Sequence, residues 1–214
     1  VFFTVSDITV FGCERYSAEA IINASGIKKG DNLLLMDKFS VIDRMLDNLI
    51  YLNSVEIRRV FPDNIKITVT ETSAVLAFET DSGWWLADSG GRLLEFSPTS
   101  PENVIFIVGT ALNAPSAGTI FSAEDADIPL NELLSALSEH GLLEGTSLIN
   151  VEKIYNTYFV YGDFTVILGK SGDYSESCRL VSAAMADLKS VGTDIATLDI
   201  STGTLYISEE TEGR

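Results

Sequence analysis

The stretch "EIRRVFPDNIKITVTET", residues 56–72, decides how the first third of this 214-residue chain is read. Two alternating runs meet at Phe61-Pro62-Asp63-Asn64. Ile65, Ile67 and Val69 fall on one side of a period of two, and Lys66, Thr68 and Thr70 on the other. That is the pattern of a half-buried strand. Pro62, Asp63 and Asn64 are turn formers, so the stretch predicts a β-hairpin near residues 54–70. Nothing in it has the look of a catalytic motif.

Upstream, Phe3, Val5, Ile8 and Val10 read as a first strand ending at Gly12. Ser17 precedes "AEAIINASG" (18–26). Serine is a good N-cap, Glu19 sits in the first turn and Gly26 closes the segment, so a short helix is predicted. "IKKGDN" (27–32) follows as a link turning at Gly30-Asp31. Asp37 or Ser40 caps a second helix, whose buried stripe is Val41, Ile42, Met45, Leu46 and Leu49. Neither helix is long enough to be stable alone. Both must lay their apolar stripes on one face of a three-stranded sheet, giving a small β-α-α-β-β module of the α+β class over residues 1–71.

Beyond it the pattern changes. "SAVLAFETDSGWWLADSGGRLLEF" (73–96) alternates and turns at Asp81-Ser82-Gly83 and at Asp88-Ser89-Gly90-Gly91, a meander of three short strands. "NVIFIVG" (103–109) is an apolar run of strand length, and residues 110–126 read as loop. "DIPLNELLSALSEHG" (127–141) predicts a helix with Asp127 as cap, Pro129 in the first turn, a Leu130, Leu133, Leu134, Leu137 stripe and Gly141 at its end. Two strands follow, near 147–161 and 163–168. "DYSESCRLVSAAMADLKSVG" (173–192) is a last helix with Cys178, Val181, Met185 and Leu188 inward. "DIATLDISTGTLYISEE" (194–210) is a hairpin turning at Ser201-Thr202-Gly203. Residues 72–208 therefore form a larger mixed-sheet domain with two helices, and residues 209–214 a frayed tail.

Asp and Glu total 31 against 14 Lys and Arg, a net charge of −17. That disfavours nucleic acid and anionic lipid surfaces, because binding phosphate takes cations. No apolar run reaches the roughly 18 residues of a membrane span. No signal-peptide pattern opens the sequence, and its strand-like start at Val1, Phe2, Phe3 is read as the cut end of a longer protein. The two cysteines, Cys13 and Cys178, are expected to be free thiols, since a disulfide framework needs more cysteines at closer spacing.

The order strand-helix-helix-strand-strand, with "RYSAEAIINASGIKKGDNLLLMD" (15–37) and "RRVFPDNIKITVTE" (58–71), resembles a POTRA domain. One such domain followed by "WWLADSGGRLLEF" (84–96), "FIVG" (106–109), "FTVILG" (164–169) and a terminal "LDISTGTLYI" (198–207) is similar to the FtsQ/DivIB family of bacterial cell-division proteins. The resemblance implies a non-enzymatic scaffold with no cofactor and no small-molecule substrate. It implies an N-terminal transmembrane helix and this region outside the membrane at the division septum. Its implied partners are FtsB/DivIC-like and FtsL-like proteins, one adding a strand to the edge formed by Thr204, Leu205, Tyr206, Ile207 and Ser208. An open sheet edge is a row of unpaired N–H and C=O groups that a partner strand can satisfy, and an alternating Tyr206 supplies an anchor. A secondary candidate edge is "VEIRRV" (55–60), where Glu56, Arg58 and Arg59 stand out. The competing reading is a POTRA-containing component for binding or transporting polypeptides in the cell envelope, which calls for more POTRA repeats or a barrel.

Other features do not add up to a site. Trp84 and Trp85 are adjacent on a strand and point to opposite faces, one expected in the core and the other partly exposed, so a glycan platform is not expected. His140 is the only histidine. It suits the end of its helix as a cation, and a serine–histidine pair would require it to meet a serine by chance. Asp88-Ser89-Gly90-Gly91 lacks the spacing of a phosphate loop, and no twelve-residue calcium loop occurs. Glu71 and Asp81 could be imagined as an acid–base pair, but carboxylates are too numerous here for that to signify. No catalytic residue and no metal ligand is assigned.

Overall fold

The structure, a computed structural model, describes residues 3–122, 129–170, 172–193 and 195–209. The chain divides into two compact units, Val1–Ser73 and Ala74–Arg214. Asp127, expected as a helix cap, and residues 210–214 of the expected tail lie outside the described residues.

Unit 1 contains β1 (Asp7–Phe11), α1 (Ala18–Ser25), α2 (Lys38–Asn48), β2 (Leu52–Val60) and β3 (Asn64–Glu71). The sheet order is β1-β3-β2. β3 is central, parallel to β1 and antiparallel to β2, with Ile57 opposite Ile67 and Val60 opposite Asn64. Ile65, Ile67 and Val69 are buried together with Ile21 of α1 and Val41 and Met45 of α2. The alternation therefore turns its apolar side to the helices. Ser17 Oγ accepts the Ala20 N–H, and Gly26 takes a left-handed φ of 66° after α1. For α2 the cap is Asp37, whose carboxylate accepts the Phe39 N–H while Ser40 donates its hydroxyl to it at 2.6 Å. The first strand is shorter than expected. Phe3 and Val5 precede it and pair instead with the link between the helices, through Val5 N–H to Asp31 O, Gly30 N–H to Val5 O and Leu33 N–H to Phe3 O, each 2.8 Å.

Unit 2 contains β4 (Leu76–Thr80), β5 (Gly83–Ala87), β6 (Leu93–Ser97), β7 (Ile105–Val108), α3 (Leu130–Glu139), β8 (Thr146–Asn150), β9 (Tyr158–Tyr161), β10 (Phe164–Ile167), α4 (Tyr174–Ser190), β11 (Ala196–Asp199) and β12 (Tyr206–Glu209). One nine-stranded mixed sheet runs β12-β11-β10-β9-β8-β7-β4-β5-β6. Phe78, Ile107, Ile149, Phe159, Val166 and Leu198 pack with Leu133 and Leu137 of α3 and Val181 and Met185 of α4.

The single strand expected at 147–161 is two antiparallel strands, β8 and β9. Asn150 Oδ1 accepts the Glu152 N–H at 3.0 Å, and a short 3-10 turn at Ile154–Asn156 completes the reversal. Neither tryptophan is fully buried. Trp85 packs against the core. Trp84, on the opposite face of β5, meets Phe106 edge-on at 4.9 Å. The final hairpin is wider than a Ser201-Thr202-Gly203 turn, because pairing begins only at Asp199 opposite Tyr206. Glu209, assigned to the tail by sequence, is the last residue of β12.

Candidate functional site

The two ends of the nine-stranded sheet differ. At β6 the edge is partly covered: Leu93 exchanges hydrogen bonds with residues 118 and 119, and Arg92 bridges Ile120. At β12 the only neighbour among the described strands is β11. An outermost strand with one free side offers unpaired backbone donors and acceptors.

Five residues were expected to form this edge, and the structure divides them. Tyr206, Ile207 and Ser208 lie in β12, opposite Asp199, Leu198 and Thr197 respectively. Thr204 and Leu205 lie in the segment leading into it, where Leu205 is half-buried against the core. That burial draws the chain inward before pairing starts, which is why the strand begins two residues late. Ile207 is across from the buried Leu198, so it shares the core-facing side of the sheet, while Tyr206 and Ser208 share the other. Tyr206 is 59% exposed and Ile207 45%. Backbone groups and one apolar side chain per face are thus available together, which is what strand addition uses for affinity and selectivity. The sequence signal for the loop before β12 is Asp199, whose carboxylate accepts the Ser201 N–H at 2.9 Å.

The second expected edge, β2, is also an outer strand. Its charged residues are largely engaged. Arg58 Nε donates to Glu56 Oε1 at 2.7 Å, and Arg59 reaches over the end of the sheet to donate to Met36 O at 2.7 Å.

Two carboxylates have clear structural work. Glu71, at the end of β3, accepts main-chain N–H groups from Glu14, Arg15 and Tyr16. Burial raises its pKa, but these three donors and the Arg15 charge outweigh that, leaving it below the ordinary glutamate value. In the sequence Glu71 is one carboxylate among 31. Its signal was position, one strand-length after the turn and 55 residues beyond the segment it ties down. Asp88 accepts the Gly90 and Arg92 N–H groups at 3.0 Å and pairs with the Arg92 guanidinium at 3.3 Å. The "DSGGR" turn is therefore an ordered structural turn.

His140 does meet a serine: its Nε2 is 3.0 Å from Ser175 Oγ, linking the end of α3 to the start of α4. Ser175 also donates to Glu139 Oε2 at 3.2 Å. A nucleophilic serine needs its proton directed at the imidazole, and here a carboxylate competes for it. Among the described residues no group of three or more His, Cys, Asp and Glu could hold a metal ion. No helix of the described residues is long and apolar enough to cross a membrane.

Residues 3–72 match the family described as "POTRA domain, FtsQ-type". The chain is 25% identical over 177 residues to cell division protein DivIB of Clostridium acetobutylicum, a match covering 80% of this chain and 69% of that protein. It is 34% identical over 83 residues to cell division protein FtsQ of Geobacter sp. (strain M21), covering 39% of this chain and 30% of that protein. The major extracytoplasmic domain of DivIB from Geobacillus stearothermophilus superposes at a TM-score of 0.35 and 18% identity over 56% of this chain and 97% of that one, too loosely to add to the sequence matches. The chain thus carries an FtsQ-type POTRA domain over residues 3–72 and is similar, over 80% of its length, to a bacterial cell-division protein of the DivIB kind.

Proposed function

We propose that the protein is a non-enzymatic scaffold of the division machinery. It is held to the membrane by an N-terminal transmembrane segment, with this region on the extracytoplasmic side at the septum. There it receives FtsB/DivIC-like and FtsL-like partners, one of which adds a strand to β12. The observation that carries the reading is the open outer side of β12, with Tyr206 exposed on one face and Ile207 on the other. The domain division follows the same reading, a POTRA module over residues 1–71 and a partner-binding β domain over 72–208.

The test is calorimetric titration of the chain with FtsB/DivIC-type and FtsL-type ectodomains, singly and preassembled. Along an antiparallel strand successive N–H groups alternate between the two sides. Proline removes one donor, so Ile207→Pro and Ser208→Pro should behave differently. One breaks the ladder to β11. The other removes a donor from the free side only, keeps the melting temperature and abolishes binding. Tyr206→Ala should weaken binding by ~1–2 kcal/mol. Binding that survives both prolines would move the site away from β12, with β2 the next edge to examine. No binding by any ectodomain would sink the reading.

A further inference from the structure

The nine-stranded sheet of unit 2 has a second face that its own helices leave bare. α3 and α4 both pack against the inward alternates, such as Phe159 and Val166. The register lines up the outward alternates in rows. Phe106, Leu148 and Val160 stand opposite one another across β7, β8 and β9. In the next row Tyr158 faces Ile167, which leads through Asp199 to Tyr206 at the free edge. Phe106, Leu148, Val160, Tyr158 and Ile167 are each half-buried, and none belongs to the buried core. Trp84 extends the stripe to β5 through its contact with Phe106. A sheet face left to water ordinarily carries polar alternates. Here four adjacent strands, β7 to β10, place large apolar side chains there, and contiguous apolar surface of this kind marks a contact.

The charges say what kind of contact. The charged residues at outward strand positions are Glu79, Glu95 and Asp199, and no Lys or Arg occupies such a position. Loops at the strand ends add Asp81, Glu144, Glu152 and Asp163 against Lys153 and Lys170. Residues 74–214 hold six Lys and Arg against twenty-one Asp and Glu. Arg92 is taken up by Asp88, Arg179 pairs with Glu176 on α4, and Lys189 lies over the Tyr161 and Phe164 rings. Asp199 accepts the Ser201 N–H, a bond that leaves its negative charge in place. A second copy would bring the same carboxylates to the interface, and an anionic lipid surface would be repelled by them. A cationic partner with an apolar stripe of its own answers both features. Glu79 on β4 and Asp199 on β11 are five strand spacings apart, about 24 Å. That is the length of roughly 16 helical residues at ~1.5 Å each.

We propose that the outward face of the unit 2 sheet receives a basic amphipathic helix of a protein partner. Its apolar side lies on Phe106, Leu148, Val160, Tyr158 and Ile167, and its Lys and Arg side chains reach Glu79 and Asp199. This goes beyond strand addition, which uses the backbone of β12 and not the side chains of this face.

The test is fluorescence anisotropy of a labelled 18-residue peptide of leucine and lysine, patterned as an amphipathic helix, titrated with the 214-residue chain. Wild type is expected to bind it, more weakly as salt is raised. A peptide of the same composition without the helical pattern, and one with glutamate in place of lysine, should bind at least fivefold more weakly. Leu148→Thr with Val160→Thr and Ile167→Thr removes the stripe but keeps β-forming side chains, so binding should fall at least fivefold with the circular dichroism spectrum unchanged. Glu79→Gln with Asp199→Asn should weaken binding at least threefold, and the asparagine keeps an oxygen for the Ser201 N–H. Glu132→Gln with Asp187→Asn removes two exposed charges from α3 and α4 and should leave binding unchanged. Equal losses in these two charge pairs would mean general attraction to an acidic chain and overturn the proposal. So would absence of wild-type binding, or binding that the triple threonine variant retains. Self-association of wild type that the triple variant abolishes would assign the face to a second copy, with the same result. The partner ectodomains should still bind the triple variant. Loss of both binding events together would merge this face with the β12 edge and overturn its separate role.

Discussion

Glu71 Oε2 accepts the Arg15 N–H at 2.7 Å, tying the last residue of β3 to the connection between β1 and α1. The same carboxylate takes the neighbouring Glu14 and Tyr16 N–H groups at 3.0 Å. Tyr16 extends the tie, its hydroxyl accepting the Tyr51 N–H at 3.2 Å. The Arg15 guanidinium lies 3.6 Å from the centre of the Tyr51 ring. One acidic side chain thus organises the whole end of unit 1 opposite the hairpin tip.

Glu71→Ala is expected to destabilise unit 1 by ~1–2 kcal/mol, since three donors lose one acceptor but water can partly replace it. Glu71→Gln, which keeps one carbonyl oxygen, should cost less. The pH dependence follows from the direction of the shift. Glu71 titrates below its unfolded value, so its contribution is fully present above the ordinary glutamate range and is lost as pH falls through the folded value. Urea unfolding of wild type and Glu71→Gln across pH 3–7 should converge at the acid end. Curves that stay parallel would show that the carboxylate charge is irrelevant.

Ile67 is fully buried at the centre of β3, opposite Ile57. Ile67→Asp should cost several kcal/mol, on the order of the whole stability of so small a unit, and abolish its folded signal. Loss of amide-proton dispersion for residues of unit 1, with unit 2 unchanged, is the expected spectrum. A variant that melts like wild type would contradict the assignment of the buried face.

Gly109 follows β7 at φ 84°, and a Cβ placed there would collide with the main chain of Glu152. This is the crossing where β7 hands its register to the turn between β8 and β9. Gly109→Ala should therefore destabilise unit 2 by more than ~1 kcal/mol, beyond what the backbone conformation alone imposes. Thermal unfolding compared with Gly118→Ala, where φ is 88° but nothing lies within 4 Å of the added carbon, isolates the collision.

Cys178 lies wholly inside unit 2, and burial pushes its thiol pKa up to about 12. Cys13 is half-buried. A thiol reagent such as dithionitrobenzoate should label Cys13 alone in the folded chain, and Cys178 only after denaturant is added. Rapid labelling of both thiols at neutral pH would show that α4 does not pack as described.

The hairpin, both caps of α1 and the inward residues of α4 were legible because each rests on short-range chemistry: alternation, a Ser or Gly at a fixed offset, apolar residues three and four apart. The misreadings share a cause. Residues 147–161 are β-rich throughout, and what splits them is Asn150 folding back on Glu152, a contact no periodicity announces. Phe3 and Val5 look like strand and do form strand-like hydrogen bonds, but to residues 30–33. Which segment an extended run pairs with is a tertiary decision. The β12 edge was placed by family likeness more than by physics, and its two-residue offset comes from Leu205 being drawn toward the core. The exposure of Leu34, Leu35, Phe39 and Phe61 was invisible in sequence, because they look like any other core candidates until the fold leaves them outside.

The order of strands in unit 1 also bears on how the chain is made. β3 is the central strand and the last of the unit to be synthesised, yet it provides the partners for both β1 and β2. Until residue 71 has left the ribosome, β1 has no neighbour and the two helices have no sheet to cover. The fifty-odd residues between paired positions, such as Asp7 and Asn64, must be held as an open loop. Unit 1 should therefore stay uncommitted through most of its synthesis and then close in a single step. Up to that moment its apolar side chains, Ile21, Val41 and Met45 among them, have no core to enter.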